Sequence, residues 1–275
     1  MTYADLDRLS DAVAVGLARR GIGTGDVVAL VLPPGAEYVV AYLAAAKLGA
    51  ITSGVNDRLT AGEREAVLGL AEPKLVLAAP GFTPAGFDVE AVREAESVDD
   101  VLPALRADGE SPPELPDDPA RPVAILFTSG TTGLPKGALY CNRQLSFITQ
   151  TDVGDTWGGG GCGLSGTSLA HLGFMTKLPG NLRRGGTTVF MKRWSARGAL
   201  ELTERYRMST MGGVPTQLAL VLRDPEFDRF DLSCVRSIVL GGGPVTPGLV
   251  EEARARLHAK VTTRYSCTEA GIGLG

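Results

Sequence analysis

The sequence predicts an α/β fold in which two parallel-rich β-sheets are flanked by helices. Short β-branched runs recur in two series along the chain, and stretches of helical length separate them. Strands that alternate with helices need crossover connections, and these build parallel sheets with helices on their faces. Composition agrees: the 275 residues are 44% hydrophobic and 21% charged, enough for a sizeable core, and 36 Gly with 17 Pro leave room for many turns.

Taken in order, residues 5–19 place Leu6, Leu9, Val13 and Leu17 on one helical face. The first strand series holds Val27–Leu32, Ile51–Val55, Leu75–Ala78 and Val123–Phe127. Between these strands, Glu37–Leu48 follows a Pro33-Pro34-Gly35 turn as a helix. Ala61–Leu70 is a second helix, opened by Thr60 with Glu63 three residues on, a capping-box signature. From Ala107 to Arg121 the prolines Pro112, Pro113, Pro116 and Pro119 preclude regular structure and predict an exposed loop. Gly158–Gly163 reads as a mobile loop because glycine backbone is costly to order. The second series holds Thr187–Met191, Thr210–Val214, Ser237–Leu240 and Val261–Tyr265, with helices at Ala196–Tyr206, Pro215–Leu222 and Pro247–Leu257. The expected division puts residues 21–170 around the first sheet, and residues 1–20 with 171–275 around the second.

A net charge of −4 without a basic block argues against nucleic acid as a partner. Cys141, Cys162, Cys234 and Cys267 show no metal-ligand spacing, and with only two histidines they read as reduced thiols. The longest apolar run, Tyr38 to Ala46, is too short to span a bilayer. No targeting segment is evident, and a cytoplasmic location is expected.

The chemistry concentrates where the Val123–Phe127 strand enters Thr128-Ser129-Gly130-Thr131-Thr132-Gly133-Leu134-Pro135-Lys136-Gly137. Glycines let backbone N–H groups converge on an anion, hydroxyls add donors, and the Lys136 ammonium supplies a point charge for a polyphosphate. Pro135 before the lysine and Gly137 after it rule out a Walker A loop.

This string resembles the phosphate-binding signature of the acyl-adenylate-forming superfamily, which includes acyl-CoA synthetases, amino-acid adenylation domains and luciferases. Thr2-Tyr3-Ala4-Asp5-Leu6, Gly25-Asp26-Val27-Val28-Ala29-Leu30, Lys47-Leu48-Gly49-Ala50 and Gly213-Val214-Pro215-Thr216 are similar to the family's TYxEL, GDxVAL, KxGA and GVPT segments. Gly241-Gly242-Gly243-Pro244 stands where the family has GGAP, and Tyr265-Ser266-Cys267-Thr268-Glu269 is similar to its YGxTE, with Ser266 in place of glycine. The resemblance implies that Gly242, Gly243, Pro244, Tyr265 and Ser266 border the nucleotide, with Tyr265 along the adenine. It implies likewise that Thr268 bonds the α-phosphate and that Glu269 ligates Mg²⁺. Those residue types suit the tasks: a flat ring for a base, a hydroxyl for a phosphate oxygen, a hard carboxylate for magnesium. His171, within Ser168-Leu169-Ala170-His171-Leu172-Gly173, is similar to the family's PLFHxxG and by that resemblance lies near the acyl carboxylate. His258 reads as a surface residue.

Lys136, Thr268, Glu269 and His171 are therefore the catalytic candidates. The implied enzyme is an acid–thiol ligase of the acyl-CoA synthetase type, using ATP, Mg²⁺ and coenzyme A. Amino-acid adenylation domains carry an aspartate here for the substrate amine, whereas no acid occurs between Ser165 and Lys177. A fatty or aromatic acid follows, because a buried ammonium without a partner is costly. A carrier-protein-loading ligase and a non-catalytic nucleotide- or acyl-binding module are the alternatives. The family's ribose-binding aspartate and C-terminal lid lie beyond Gly275, so the resemblance implies an incomplete N-terminal portion, inactive alone and open to homo-oligomeric association.

Overall fold

The computed structural model describes residues 1–82, 84–128 and 135–271. It divides into two compact units, one formed by Met1–Gly154 with Ser168–Pro179, the other by Asp155–Thr167 with Gly180–Gly275.

The first unit opens with α1 (Tyr3–Arg19), whose N-cap Thr2 accepts a hydrogen bond from the Asp5 N–H while the Asp5 carboxylate accepts from the Thr2 N–H. Next come β1 (Val27–Val31), α2 (Ala36–Lys47), β2 (Ile51–Gly54), α3 (Ala61–Ala71), β3 (Leu75–Ala78) and the short β4 (Val89–Ala91). β5 (Pro122–Thr128), β6 (Lys136–Cys141) and α4 (Asn142–Val153) follow. The strands make one six-stranded sheet in the order β4-β3-β1-β2-β5-β6. All neighbours are parallel except β5 and β6, which run antiparallel. Val28, Ala29, Leu30 and Val31 are inaccessible to solvent, as a central strand covered on both faces requires. Alternation sends Ala29, Val31, Val76 and Ala78 to one face, where Val67 and Leu68 of α3 meet them. The predicted Thr60–Glu63 capping box is present, with Thr60 Oγ1 accepting from the Glu63 N–H.

α1 departs from the expected division. It packs on α2 and belongs to the first unit, not with the second sheet. Leu9, Val13 and Leu17 are fully buried, and Lys47 Nζ at the end of α2 lies 2.6 Å from both Asp7 and Asp11 of α1. Hydrophobic burial of a whole helical face, closed by charges at its rim, settles the placement.

In the second unit β7 (Cys162–Ser165) begins inside the glycine-rich segment that the sequence reads as a loop. β7 pairs in parallel with β8 (Thr187–Phe190), and the two form their own ladder. Two short helices lie between them, α5 (Leu172–Met175), which returns to the first unit, and α6 (Leu178–Arg184). After β8 come α7 (Ala196–Arg205), β9 (Thr210–Gly213), α8 (Pro215–Leu222), β10 (Ser237–Gly241), α9 (Pro247–Leu257) and β11 (Lys260–Arg264). β9, β10 and β11 form a parallel sheet in the order β11-β10-β9. Leu200, Leu218, Leu222, Ile238, Leu240 and Leu257 pack its helices onto it. The second series is thus two sheets, with Thr187–Phe190 outside the larger one.

Candidate functional site

β5 and β6 form a hairpin, and their register pairs Thr128 with Lys136. Both residues therefore stand at the same end of the sheet, one at each foot of the predicted phosphate loop. Thr128 Oγ1 reaches toward the Lys136 carbonyl at 3.5 Å, too long for a strong bond, so register and not this contact fixes the pair. Lys136 is exposed, leaving its ammonium available to an anion. Ser129, Gly130, Thr131, Thr132 and Gly133 lie outside the described residues.

His171 is the N-cap of α5, and its carbonyl accepts from the Phe174 and Met175 N–H groups at 3.0 and 3.1 Å. The helix is anchored beneath: Tyr42 donates its hydroxyl to the Met175 carbonyl at 3.1 Å, and the Phe174 ring stands edge-on to Tyr38 at 6.4 Å. Gly54, at the end of β2, allows this close approach. A Cβ there would come within 2.6 Å of Met175 Sδ, 2.8 Å of Tyr38 Oη and 2.9 Å of Ala170 Cα. Asn56, just beyond, places its amide nitrogen 3.1 Å from His171 Nε2. Desolvation lowers the His171 pKa, with Asp57 opposing and Arg58 reinforcing the shift. The residue still keeps substantial solvent exposure, so that shift carries little weight for stability.

In the second unit the parallel register pairs Gly241 with Arg264, so the turn leaving β10 and Tyr265 leaving β11 emerge side by side. Gly242 has φ +75°, a left-handed conformation that glycine adopts without a Cβ penalty. Gly243, Val245, Pro247, Val250, Arg254 and Tyr265 help line an open hollow of about 450 Å³. Tyr265 is 78% exposed, which leaves its ring free to stack on a flat ligand. Pro244 and Ser266 are exposed beside this hollow's lining residues in sequence. Thr268 and Glu269 sit on a turn closed by the Ala270 N–H donating to the Cys267 carbonyl at 3.1 Å, with Thr268 half-buried and Glu269 exposed. Among the described residues no three His, Cys, Asp or Glu side chains converge as a metal cage. Magnesium needs none, because it is held by one or two carboxylates together with phosphate oxygens, and the exposed Glu269 fits that demand.

Each unit thus gathers its own share of the predicted residues: Thr128, Lys136 and His171 in the first, Gly242, Gly243, Pro244, Tyr265, Ser266, Thr268 and Glu269 in the second. Sequence reasoning missed Asn56. It stands 115 positions from His171, and no local spacing links the two. His258 is exposed in a left-handed conformation at the end of α9, as a surface residue would be. All four cysteines are free, and Cys141 is buried.

Similarity to known proteins fits these arrangements. Residues 1–274 match the family described as AMP-binding enzyme. The chain is 31% identical to a 4-coumarate–CoA ligase of Humulus lupulus, over 98% of this chain and 53% of that protein. It is 30% identical to a fatty acid–[acyl-carrier-protein] ligase of Streptomyces coeruleorubidus, over 98% and 54% respectively. The chain therefore spans about half the length of the curated relatives it matches. In three dimensions it resembles the N-terminal domain of FACL13 from Mycobacterium tuberculosis, with TM-score 0.84 and 26% identity over 98% of this chain and 69% of that one. Two units of α/β structure, a glycine turn beside an exposed tyrosine, and a match along almost the whole length all lead to one conclusion: the chain belongs to the AMP-binding enzyme family of adenylate-forming ligases.

Proposed function

We propose that this chain carries the ATP- and carboxylate-binding residues of an enzyme that converts a carboxylic acid to an acyl-adenylate and then to a thioester of coenzyme A. The observation that carries the proposal is the β10–β11 register, which sets the Gly242–Pro244 turn beside Tyr265 at the edge of an open hollow, in a chain of the AMP-binding family. A flat ring beside bare glycine backbone suits an adenine, which stacks on one and accepts close approach from the other.

In the proposed reaction a carboxylate oxygen attacks the α-phosphorus of ATP. The bond to the bridging oxygen breaks, pyrophosphate leaves with its electron pair, and the acyl-adenylate remains. The thiol of coenzyme A then adds to the acyl carbon and displaces AMP. No enzyme nucleophile is required, so catalysis is positioning and offsetting of charge between two anions. Lys136 would offset charge on the departing phosphates, assisted by Thr128, Ser129, Gly130, Thr131, Thr132 and Gly133 of the loop. Thr268 would donate to the α-phosphate, and Tyr265, Ser266, Gly242, Gly243 and Pro244 would border the nucleoside. Glu269 would hold Mg²⁺, which when bound supplies positive charge to the phosphate oxygens. His171 would meet the acyl carboxylate. The segment around it is apolar, with Leu169, Ala170, Phe174 and Met175 buried and no acid between Ser165 and Lys177, which favours a fatty or aromatic acid over an amino acid.

Transfer to a carrier protein in place of coenzyme A is the second reading, favoured by the similarity to the Streptomyces fatty acid–[acyl-carrier-protein] ligase. The adenylation half is the same in both, and thioester assays with each acceptor separate them. Titration of ATP with Mg²⁺ into the 275-residue chain by calorimetry tests the common core. Charge-assisted bonds to phosphate contribute about 1.5–3 kcal/mol. Lys136→Ala should accordingly weaken ATP binding by about 10- to 100-fold. Equal affinity in the two proteins, or no ATP binding to the unsubstituted chain, would remove the assignment. Carboxylate-dependent ATP–pyrophosphate exchange then identifies the acid.

A further inference from the structure

Asn56 follows β2, and its side chain is held at both ends. Its Oδ1 accepts a hydrogen bond from the Arg58 N–H at 3.0 Å, closing a local turn that the Leu59 N–H extends by donating to the Asn56 carbonyl at 3.2 Å. Its Nδ2 lies 3.1 Å from His171 Nε2. The Arg58 N–H can only donate, so it requires the oxygen of the amide and excludes the flipped orientation. The NH₂ group must then face the imidazole. An amide NH₂ can only donate as well, so His171 Nε2 must accept, which requires it to carry no proton. The ring is thereby neutral, with its single N–H at Nδ1. Among the described residues Nδ1 has no hydrogen-bond partner.

The backbone that carries the ring is held in place. Its backbone caps α5, and α5 is tied down through Met175 and Phe174 to Tyr42 and Tyr38. The charged groups that act on the imidazole are Asp57 and Arg58, with opposite effects, and desolvation favours the neutral form.

We propose that Asn56 is a positioning residue for His171: aimed by the Arg58 N–H, its amide fixes the imidazole as the neutral Nδ1–H tautomer and so makes Nδ1–H the donor presented to the acyl carboxylate. The identity of the acceptor rests on the function proposed above. The tautomer does not.

The test is nitrogen-detected NMR of the imidazoles in the 275-residue chain. Two histidines give two ring systems, and His258→Gln assigns them. His171 should show a protonated Nδ1 and an unprotonated Nε2 at neutral pH, whereas the exposed His258 should average between tautomers. Asn56→Asp keeps an oxygen for the Arg58 N–H but turns an acceptor toward Nε2. It should move the proton to Nε2 or raise the titration midpoint of His171, by about one pH unit or more, as a carboxylate neighbour does. Asn56→Leu should leave a mixture of tautomers, and a melt on each variant shows whether it is folded. A protonated Nε2 in the unsubstituted chain would overturn the proposal, as would a folded Asn56→Asp protein with unchanged tautomer and midpoint. Failure of the functional reading registers elsewhere, in the loss of ATP binding or its indifference to Lys136→Ala, so the two outcomes are separable.

Discussion

At the scale of single residues, three of the candidate side chains stand out for their exposure. Lys136, Tyr265 and Glu269 are all exposed. Such residues can be altered without collapsing the fold, which makes Glu269 a direct probe of the metal. Glu269→Gln preserves shape and hydrogen-bonding reach but removes the charge that a hard cation demands. The magnesium concentration needed for half-maximal ATP binding should rise several-fold, while the melting temperature stays within about a degree. A lowered melting temperature with unchanged magnesium dependence would make the carboxylate structural. The motifs themselves were legible because their Gly, Thr, Tyr and Glu residues lie in short contiguous strings. Asn56 was not, since its meaning depends on a partner far along the chain and on the orientation of one amide.

At the scale of elements, the helices and strands with strong local signals stand where the sequence places them. Ala61–Ala71 begins at its capping box, Pro215–Leu222 and Pro247–Leu257 begin with proline in the first turn, and Leu75–Ala78 is a fully buried apolar run. The unread elements lack such signals. α4, with sequence NRQLSFITQTDV, buries only Leu145, Ile148 and Thr149, and β7 is CGLS behind a run of glycines. β6 gains its partners from the hairpin register and not from alternation. Two glycines show how packing decides what sequence cannot. Gly54 faces Tyr38, Met175 and the Ala170 backbone, and Gly54→Ala should destabilise by about 1–3 kcal/mol because the Ala170 main chain must shift. Gly69, in α3 with nothing near its missing Cβ, should gain about 0.5–1 kcal/mol on substitution by alanine. Chemical denaturation of the two variants checks both signs.

At the scale of the whole molecule, carboxylates held by hydrogen bonds and ion pairs shape the response of stability to acid. Hydrogen bonds from Thr2 hold Asp5 below its ordinary pKa, Lys74 does so for Asp26, and Thr60 for Glu63. The Glu226 N–H and then Arg197 act on Asp224, and the Ser233 hydroxyl and N–H, then Arg207, bring Asp231 down to about 2. Each folded-state value lies below the unfolded one. Their contribution is therefore complete above the ordinary carboxylate range and disappears as pH falls through the folded values. The part of the melting temperature owed to these carboxylates should be level from neutrality to about pH 5, then drop between roughly pH 4 and 2. Asp231→Asn should soften the lower part of that fall. Glu63 and Asp231 are solvent-exposed, so added salt should shrink their share of the effect, whereas the Asp224 side chain is largely covered beside Arg197 and should be screened less.

The first unit is not one continuous stretch of polypeptide. Residues 168–179 return to it after 155–167 have gone to the second, and they bring Met175 and Phe174 to Tyr42 and Tyr38. Chains are made from the N-terminus and tend to fold as they emerge. A ribosome that has released residue 154 has released every strand of the six-stranded sheet, yet Tyr38 and Tyr42 still lack the helix that covers them. The unit that is begun first is thus finished only after part of its neighbour has been synthesised. Translation pauses within residues 155–179 would prolong the life of an uncovered intermediate, and a gene fragment ending at residue 154 would make it permanent.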